Sequence, residues 1–169
     1  YAEAYAAYSL IPSYAYRFGF TGADLHVDPR EDALALAKRA IEISPNLARG
    51  YHALMLAHWL AKDVELSLEA AQKGLSLNPH DTELMAELGM RYAWRNRWDE
   101  ALPLLHEAYR RNPAQPSGYR LALFIDRYLK EDYEEALAEA QRIEAPNLIY
   151  THMAMAMDTA ALGRAADAQ

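Results

Sequence analysis

Along most of this chain apolar residues return every three or four positions, and short polar stretches separate the runs they make. Ala101, Leu105 and Ala108 share one helical face, the stripe of a half-buried helix. The breaks ahead of such runs are acidic or turn-forming: DPRED at 28 to 32, AKD at 61 to 63, NRWDE at 96 to 100 and KEDYEE at 130 to 135. Runs stop at Ser44-Pro45, Asn78-Pro79 and Asn112-Pro113, because proline cannot continue a helix and restricts the residue before it. Asp81 and Thr82 then supply cap-type side chains for the next start. The pattern predicts helices over 2–18, 29–44, 46–61, 64–77, 81–95, 98–111, 115–130, 132–144 and 147–162, with a last one beginning near 165. No run asks to be a strand.

The breaks are periodic. Pro45, Pro79 and Pro113 are 34 residues apart and Pro146 follows 33 later, while Ala33-Leu34, Ser67-Leu68, Ala101-Leu102 and Ala136-Leu137 recur at steps of 34, 34 and 35. Two independent registers agree, so the architecture is an all-α stack of helix pairs, each pair joined by a short polar turn. One domain is expected, with units at about 1–45, 46–79, 80–113 and 114–146 and a truncated unit at 147–169, which predicts an open stacking face at that end. Tyr5 aligns with Tyr51 at a step of 46, so the first unit carries an insert, FGFTGADLHVDP at 18–29, whose glycines and proline mark an irregular connection. Pro12 is expected to kink or split the first helix.

Met85-x-x-Leu88-Gly89-x-x-Tyr92, followed by Ala101-x-x-x-Leu105, Ala108 and Pro113, resembles the tetratricopeptide repeat, with Met for the usual aromatic and Leu for Phe. The resemblance implies a right-handed superhelical solenoid of antiparallel helix pairs. It places Gly89 and Ala101 where the two helices cross, with Leu88, Tyr92, Leu105 and a largely buried Trp98 filling the space around them and Trp94 more accessible. The second unit departs from the pattern at Met55, His58, Ser67 and Gly74, which predicts a slightly wider pair. The fourth has one extra residue, and Phe124 falls where glycine is expected. A long first unit followed by regular copies also resembles the C-terminal tetratricopeptide regions of bacterial adenylate or guanylate cyclases and of winged-helix transcription activators.

Composition narrows the function. The chain has 169 residues, 52% of them hydrophobic, a formal net charge of -7 and no cysteine. That is enough apolar matter for a core, the wrong charge for neutralising phosphates, and no basis for disulfides, thiolate metal sites or a cysteine nucleophile. No apolar run is long enough to span a membrane. A cytoplasmic fragment of a longer protein is expected, since the chain starts at Tyr1 and shows no signal peptide. His26, His52, His58, His80, His106 and His152 include no pair at i, i+3 or i, i+4, so no helical metal site is expected. Asp99-Glu100 and Glu134-Glu135 sit in first turns, where carboxylates offset the helix dipole. Neither an enzyme nor a cofactor is expected.

What remains is surface. In resembling repeats the first helix of each unit lines the concave side. Carried over unit by unit, that geometry selects Arg49, His52, Leu56 and Trp59; Glu83, Met90 and Trp94; Arg120, Phe124, Arg127 and Tyr128; and Tyr150, Met153 and Met157. Aromatics, methionines and arginines suit a bound peptide or helix, and Arg49, Arg120 and Arg127 predict an acidic, apolar one. The reading is therefore a protein-interaction scaffold that binds a peptide or helix in its concave groove and binds neither nucleic acid nor membrane. Its alternatives are a regulatory region of a cyclase or transcription activator, and a homo-oligomer assembled through the open C-terminal end.

Overall fold

The computed structural model describes residues 1–17, 28–143 and 149–163. Among them the elements are α1 (Ala2–Arg17), α2 (Pro29–Ile43), α3 (Ala48–Leu60), α4 (Val64–Leu77), α5 (Thr82–Ala93), α6 (Trp98–Arg111), a 3-10 turn at Ser117–Tyr119, α7 (Arg120–Leu129), α8 (Tyr133–Gln141) and α9 (Ile149–Ala161), with no strand. The body of the 18–29 insert and the helix expected near 165 lie outside the described residues. Consecutive helices pair, α1 with α2, α3 with α4 and α7 with α8, and Gly89 of α5 meets Leu105 of α6. The fold is the all-α solenoid class of helix pairs that the period predicts. The chain divides into two compact units, residues 1–84 and 85–169.

In the first unit the paired helices approach until a serine hydroxyl reaches the opposing main chain. Ser9 Oγ on α1 donates to the Ala33 carbonyl on α2 at 2.7 Å, and Ser67 Oγ on α4 donates to the Met55 carbonyl on α3 at 2.8 Å. Both serines are fully buried. The second pair is therefore no wider than one serine side chain allows, contrary to the expectation from Met55 and Ser67. Gly74 explains how α4 also admits its next neighbour, since Leu84 Cδ2 lies 2.6 Å from where a Cβ on Gly74 would stand. Asp28 caps α2, accepting from the Arg30 backbone N–H at 2.9 Å. Helix α1 continues unsplit through Pro12. Ser9, Leu10 and Ser13 around that proline are buried, and this packing outweighs the missing main-chain bond.

In the second unit the crossing of α5 and α6 lies where the repeat pattern puts it. A Cβ on Gly89 would stand 2.8 Å from Leu105 Cγ and 3.1 Å from the Ala101 carbonyl oxygen, so only hydrogen fits. Trp98 is partly rather than largely buried, its indole N–H donating to Asn96 Oδ1 at 2.8 Å, and Trp94 is the more exposed of the two. Farther along, Phe124 packs with Ala136, Ala140 and Ala154, and Leu121, Ile125, Tyr128 and Met155 lie around them. A buried polar network joins α5 to the turn before α7. The Glu87 carboxylate takes Arg91 Nη1 on one oxygen and the Tyr119 hydroxyl on the other, the latter at 2.8 Å.

A third register runs through the turns inside the pairs. Lys62, Asn96 and Glu131 all have left-handed backbone, with φ of 68°, 58° and 61°. After each, the next N–H bonds five residues back: Asp63 to His58 O and Arg97 to Tyr92 O, both at 2.9 Å, and Asp132 to Arg127 O at 3.0 Å. This is the helix-ending arrangement that usually takes glycine, because a side chain crowds the carbonyl in left-handed backbone.

Three outcomes follow from this packing. Glu131→Gly, relieving the left-handed residue, raises stability by about 0.5 to 1 kcal/mol in urea denaturation; a loss contradicts the turn geometry. Ala101→Leu overpacks the α5/α6 crossing and costs about 1 to 3 kcal/mol by the same measurement. Tyr119→Phe strips a donor from a buried carboxylate and costs about 1 to 3 kcal/mol, whereas an unchanged midpoint means that Glu87 does not depend on it.

Candidate protein-binding surface

Second helices take one face of each first helix, so a binding surface has to be sought on the first helices. Their register in the second unit comes from the turns. Asn96, Glu131 and Gly163 are equivalent left-handed residues, and each sends its N–H to the carbonyl three residues back: Ala93, Tyr128 and Ala160. Burial agrees with this alignment, because the equivalent Glu87, Ala122 and Ala154 are all buried. The step from α5 to α7 is thus 35 residues. The extra residue is absorbed where α7 begins, in the tighter 3-10 turn at Ser117–Tyr119.

One added residue rotates a helical register by about 100°, and that changes the wall. Arg120 does not face open surface: Nη1 lies 2.7 Å from Glu139 Oε2 on α8, and the guanidinium sits 4.2 Å above the Tyr109 ring of α6. Burial beside that stack pushes the Tyr109 phenol up to about 12. Phe124 takes the glycine-equivalent place and is buried against Ala136. Arg127 Nη1 lies 3.4 Å from Asp132 Oδ2 across the turn. Of the three arginines from which an acidic partner is expected, Arg120 and Arg127 already face carboxylates of the chain, while Arg49 is exposed.

The 35-residue step puts other side chains on the face of α5, α7 and α9 that carries Met90 and Trp94. They are Ala86, Leu121 and Met153; Met90, Ile125 and Met157; Ala93, Tyr128 and Ala160; and Trp94, Leu129 and Ala161. None is charged. Leu121, Ile125 and Leu129 were missed by the sequence reading, although the 35-residue spacing of Ala101 and Ala136 signals the shift. Trp94 is 46% exposed, Leu129 64%, Met153 51% and Met157 45%. Met90 and Tyr128 are half-buried, the Tyr128 ring lying 5.7 Å from Phe124 and 5.3 Å from Tyr133. The side chain of Tyr150 lies outside the described residues.

The corresponding residues of the first unit are less open. His52 and Leu56 are buried, Trp59 is half-buried, and Arg49 and Glu83 are exposed. Glu83 accepts the Tyr14 hydroxyl at 3.4 Å. Charge collects elsewhere in the second unit. On α6, Glu107 bonds Arg110 at 2.6 Å and also Arg111, and these two arginines hold its carboxyl down at about 2. On α8, Glu139 takes Arg142 as well as Arg120. Among the described residues no three His, Asp or Glu side chains gather to hold a metal ion, and no helix is long and apolar enough to cross a membrane.

No family model matches the chain, and no curated protein matches it by sequence. Solved structures do. MamA of AMB-1 superposes with a TM-score of 0.71 at 20% identity, covering 97% of this chain and 90% of that one. MamA of MSR-1 gives 0.68 at 18% identity, over 99% and 90% of the two chains. YrrB, a TPR protein with an unusual peptide-binding site, gives 0.69 at 18% identity, over 100% and 87%. Period, helix-pair crossing, turn geometry and these likenesses agree that the chain has the tetratricopeptide-repeat fold.

Proposed function

We infer that the chain is a protein-interaction module, and that the uncharged first-helix face of residues 85–163 receives an apolar peptide or helix of a partner protein. One observation carries this reading. Every large apolar side chain that is well exposed among the described residues of the second unit lies on a first helix, as Leu129, Met153 and Met157 do, or directly after one, as Trp94 does, and on this one face. Random exposure would scatter such residues over second helices too. Tryptophan supplies a large, rigid contact, and methionine adapts to irregular partner shapes. The peptide-binding site of YrrB, a protein of the same fold, is consistent with this use.

The partner is expected to present large aliphatic or aromatic anchors, and raising salt should change its affinity little, because none of the face's residues within 85–163 is charged. A displayed library of helical peptides tests this with wild type beside a Trp94→Ala, Leu129→Ala variant. Wild type should enrich peptides with apolar anchors, and the double variant should bind them at least about tenfold more weakly, a change of about 1.4 kcal/mol. Equal binding by both proteins, or enrichment of charged peptides without apolar anchors, contradicts the assignment.

A further inference from the structure

A bound segment brings its main chain as well as its side chains, and every N–H and C=O group that it buries needs a partner. The face proposed for binding offers few. Among its side chains only Trp94 and Tyr128 carry an N–H or O–H donor, and none carries an amide or a charge. The others present aliphatic carbon and thioether sulfur.

The charged side chains beside the face are bonded within the chain. On α5 from residue 85 onward these are Glu87 and Arg91, buried and bonded to each other, with the Tyr119 hydroxyl on the second Glu87 oxygen. On α7, Arg120 Nη1 lies 2.7 Å from Glu139 Oε2, Arg127 Nη1 lies 3.4 Å from Asp132 Oδ2, and the buried Asp126 lies 2.8 Å from Lys130 Nζ. An extended segment seated on this face would therefore bury main-chain groups that no side chain there is placed to bond, which costs free energy. A helix arrives with its main chain already bonded to itself. The relief of the face agrees, because its large side chains recur at steps of four: Met90 and Trp94, then Leu121, Ile125 and Leu129, then Met153 and Met157. Rows at that step form the ridges between which a ridge of another helix packs.

Resting on the reading of this face as the binding surface, we propose that its occupant is an amphipathic helix of the partner protein and not an extended segment. The helix turns one apolar stripe to the wall and keeps its polar side outward. To touch α5, α7 and α9 together it must reach about 16 to 20 Å at ordinary helix spacing, which takes roughly 11 to 14 residues. The longest ridge, Leu121, Ile125 and Leu129, belongs to α7, the middle helix of the three. It meets the centre of the bound stripe.

Two displayed libraries of equal apolar content, with peptides about 14 residues long, test this against the full chain. One places its apolar residues at i, i+3, i+4 and i+7, the other at alternate positions, the periods of a helix and of a strand. Enriched peptides should come from the helical library, and replacing one polar residue at their centre by proline should weaken binding at least about tenfold. They should also bind the Trp94→Ala, Leu129→Ala variant more weakly than wild type, its helicity first checked by circular dichroism. Equal or better enrichment from the alternating library, or proline peptides that bind as well as their parents, overturns the helical occupant while leaving the face as a site for extended segments. Enrichment from neither library, or enriched peptides that bind wild type and the Trp94→Ala, Leu129→Ala variant equally, overturns the face together with its occupant.

Discussion

Everything in this chain depends on how closely two helix backbones approach inside a pair. At the crossings of α1 with α2, α3 with α4 and α5 with α6 one contact leaves room for no more than a hydroxyl or a hydrogen, and where α7 meets α8 the small partners are Ala136 and Ala140, against which Phe124 packs. Ser9 reaches the Ala33 carbonyl, Ser67 reaches the Met55 carbonyl, and at Gly89 the Ala101 carbonyl would stand 3.1 Å from an added Cβ. The serine changes helix between the first two pairs, from α1 to α4, and so does its acceptor. The constraint therefore belongs to the crossing and not to one repeat position. A small residue there lets the surrounding leucines and aromatics close over it, and it must recur whenever a new pair begins.

The same constraint decides which chemistry is left for the surface. A first helix spends one face on its own second helix and another on the pair before it, so one face stays open in the second unit. There the chain places tryptophan, leucine and methionine and no charge. The charges of that unit's first helices α5 and α7 are either buried, as Glu87, Arg91 and Asp126 are, or paired, as Arg120 is with Glu139 and Arg127 with Asp132, and on α6 Glu107 pairs with Arg110 and Arg111. Exposed pairs of this kind contribute little to stability, and the proposed function rests on the apolar face instead.

Most of the fold was legible because it is written in spacing. Pro45, Pro79 and Pro113 recur at 34 residues, and Gly89 and Ala101 occupy the crossing that the repeat pattern assigns to them. The turns were less legible, since Lys62 and Glu131 are poor indicators of left-handed backbone and only their shared register reveals them. The face proposed for binding differs in part from the wall expected from the sequence. Met90, Trp94, Met153 and Met157 lie on it, but a 34-residue step carried through α7 selected Arg120 and Phe124, which the true 35-residue step turns inward. Spacing also says nothing of the bonds those residues make, so neither the Glu139 partner of Arg120 nor the Tyr119 partner of Glu87 could be read from it.

The most direct test of the close crossing is a double-mutant cycle between Gly89 and Leu105, read by chemical denaturation. An added Cβ at position 89 would come within 2.8 Å of Leu105 Cγ, so Gly89→Ala should destabilise wild type despite the better helix propensity of alanine. In a Leu105→Ala background that collision is gone, and the same substitution should be neutral or favourable by up to about 1 kcal/mol. A coupling of about 0.5 to 3 kcal/mol between the two sites is the predicted result. Additive effects would mean that Gly89 does not lie against Leu105, and would contradict the crossing on which the rest of the structure depends.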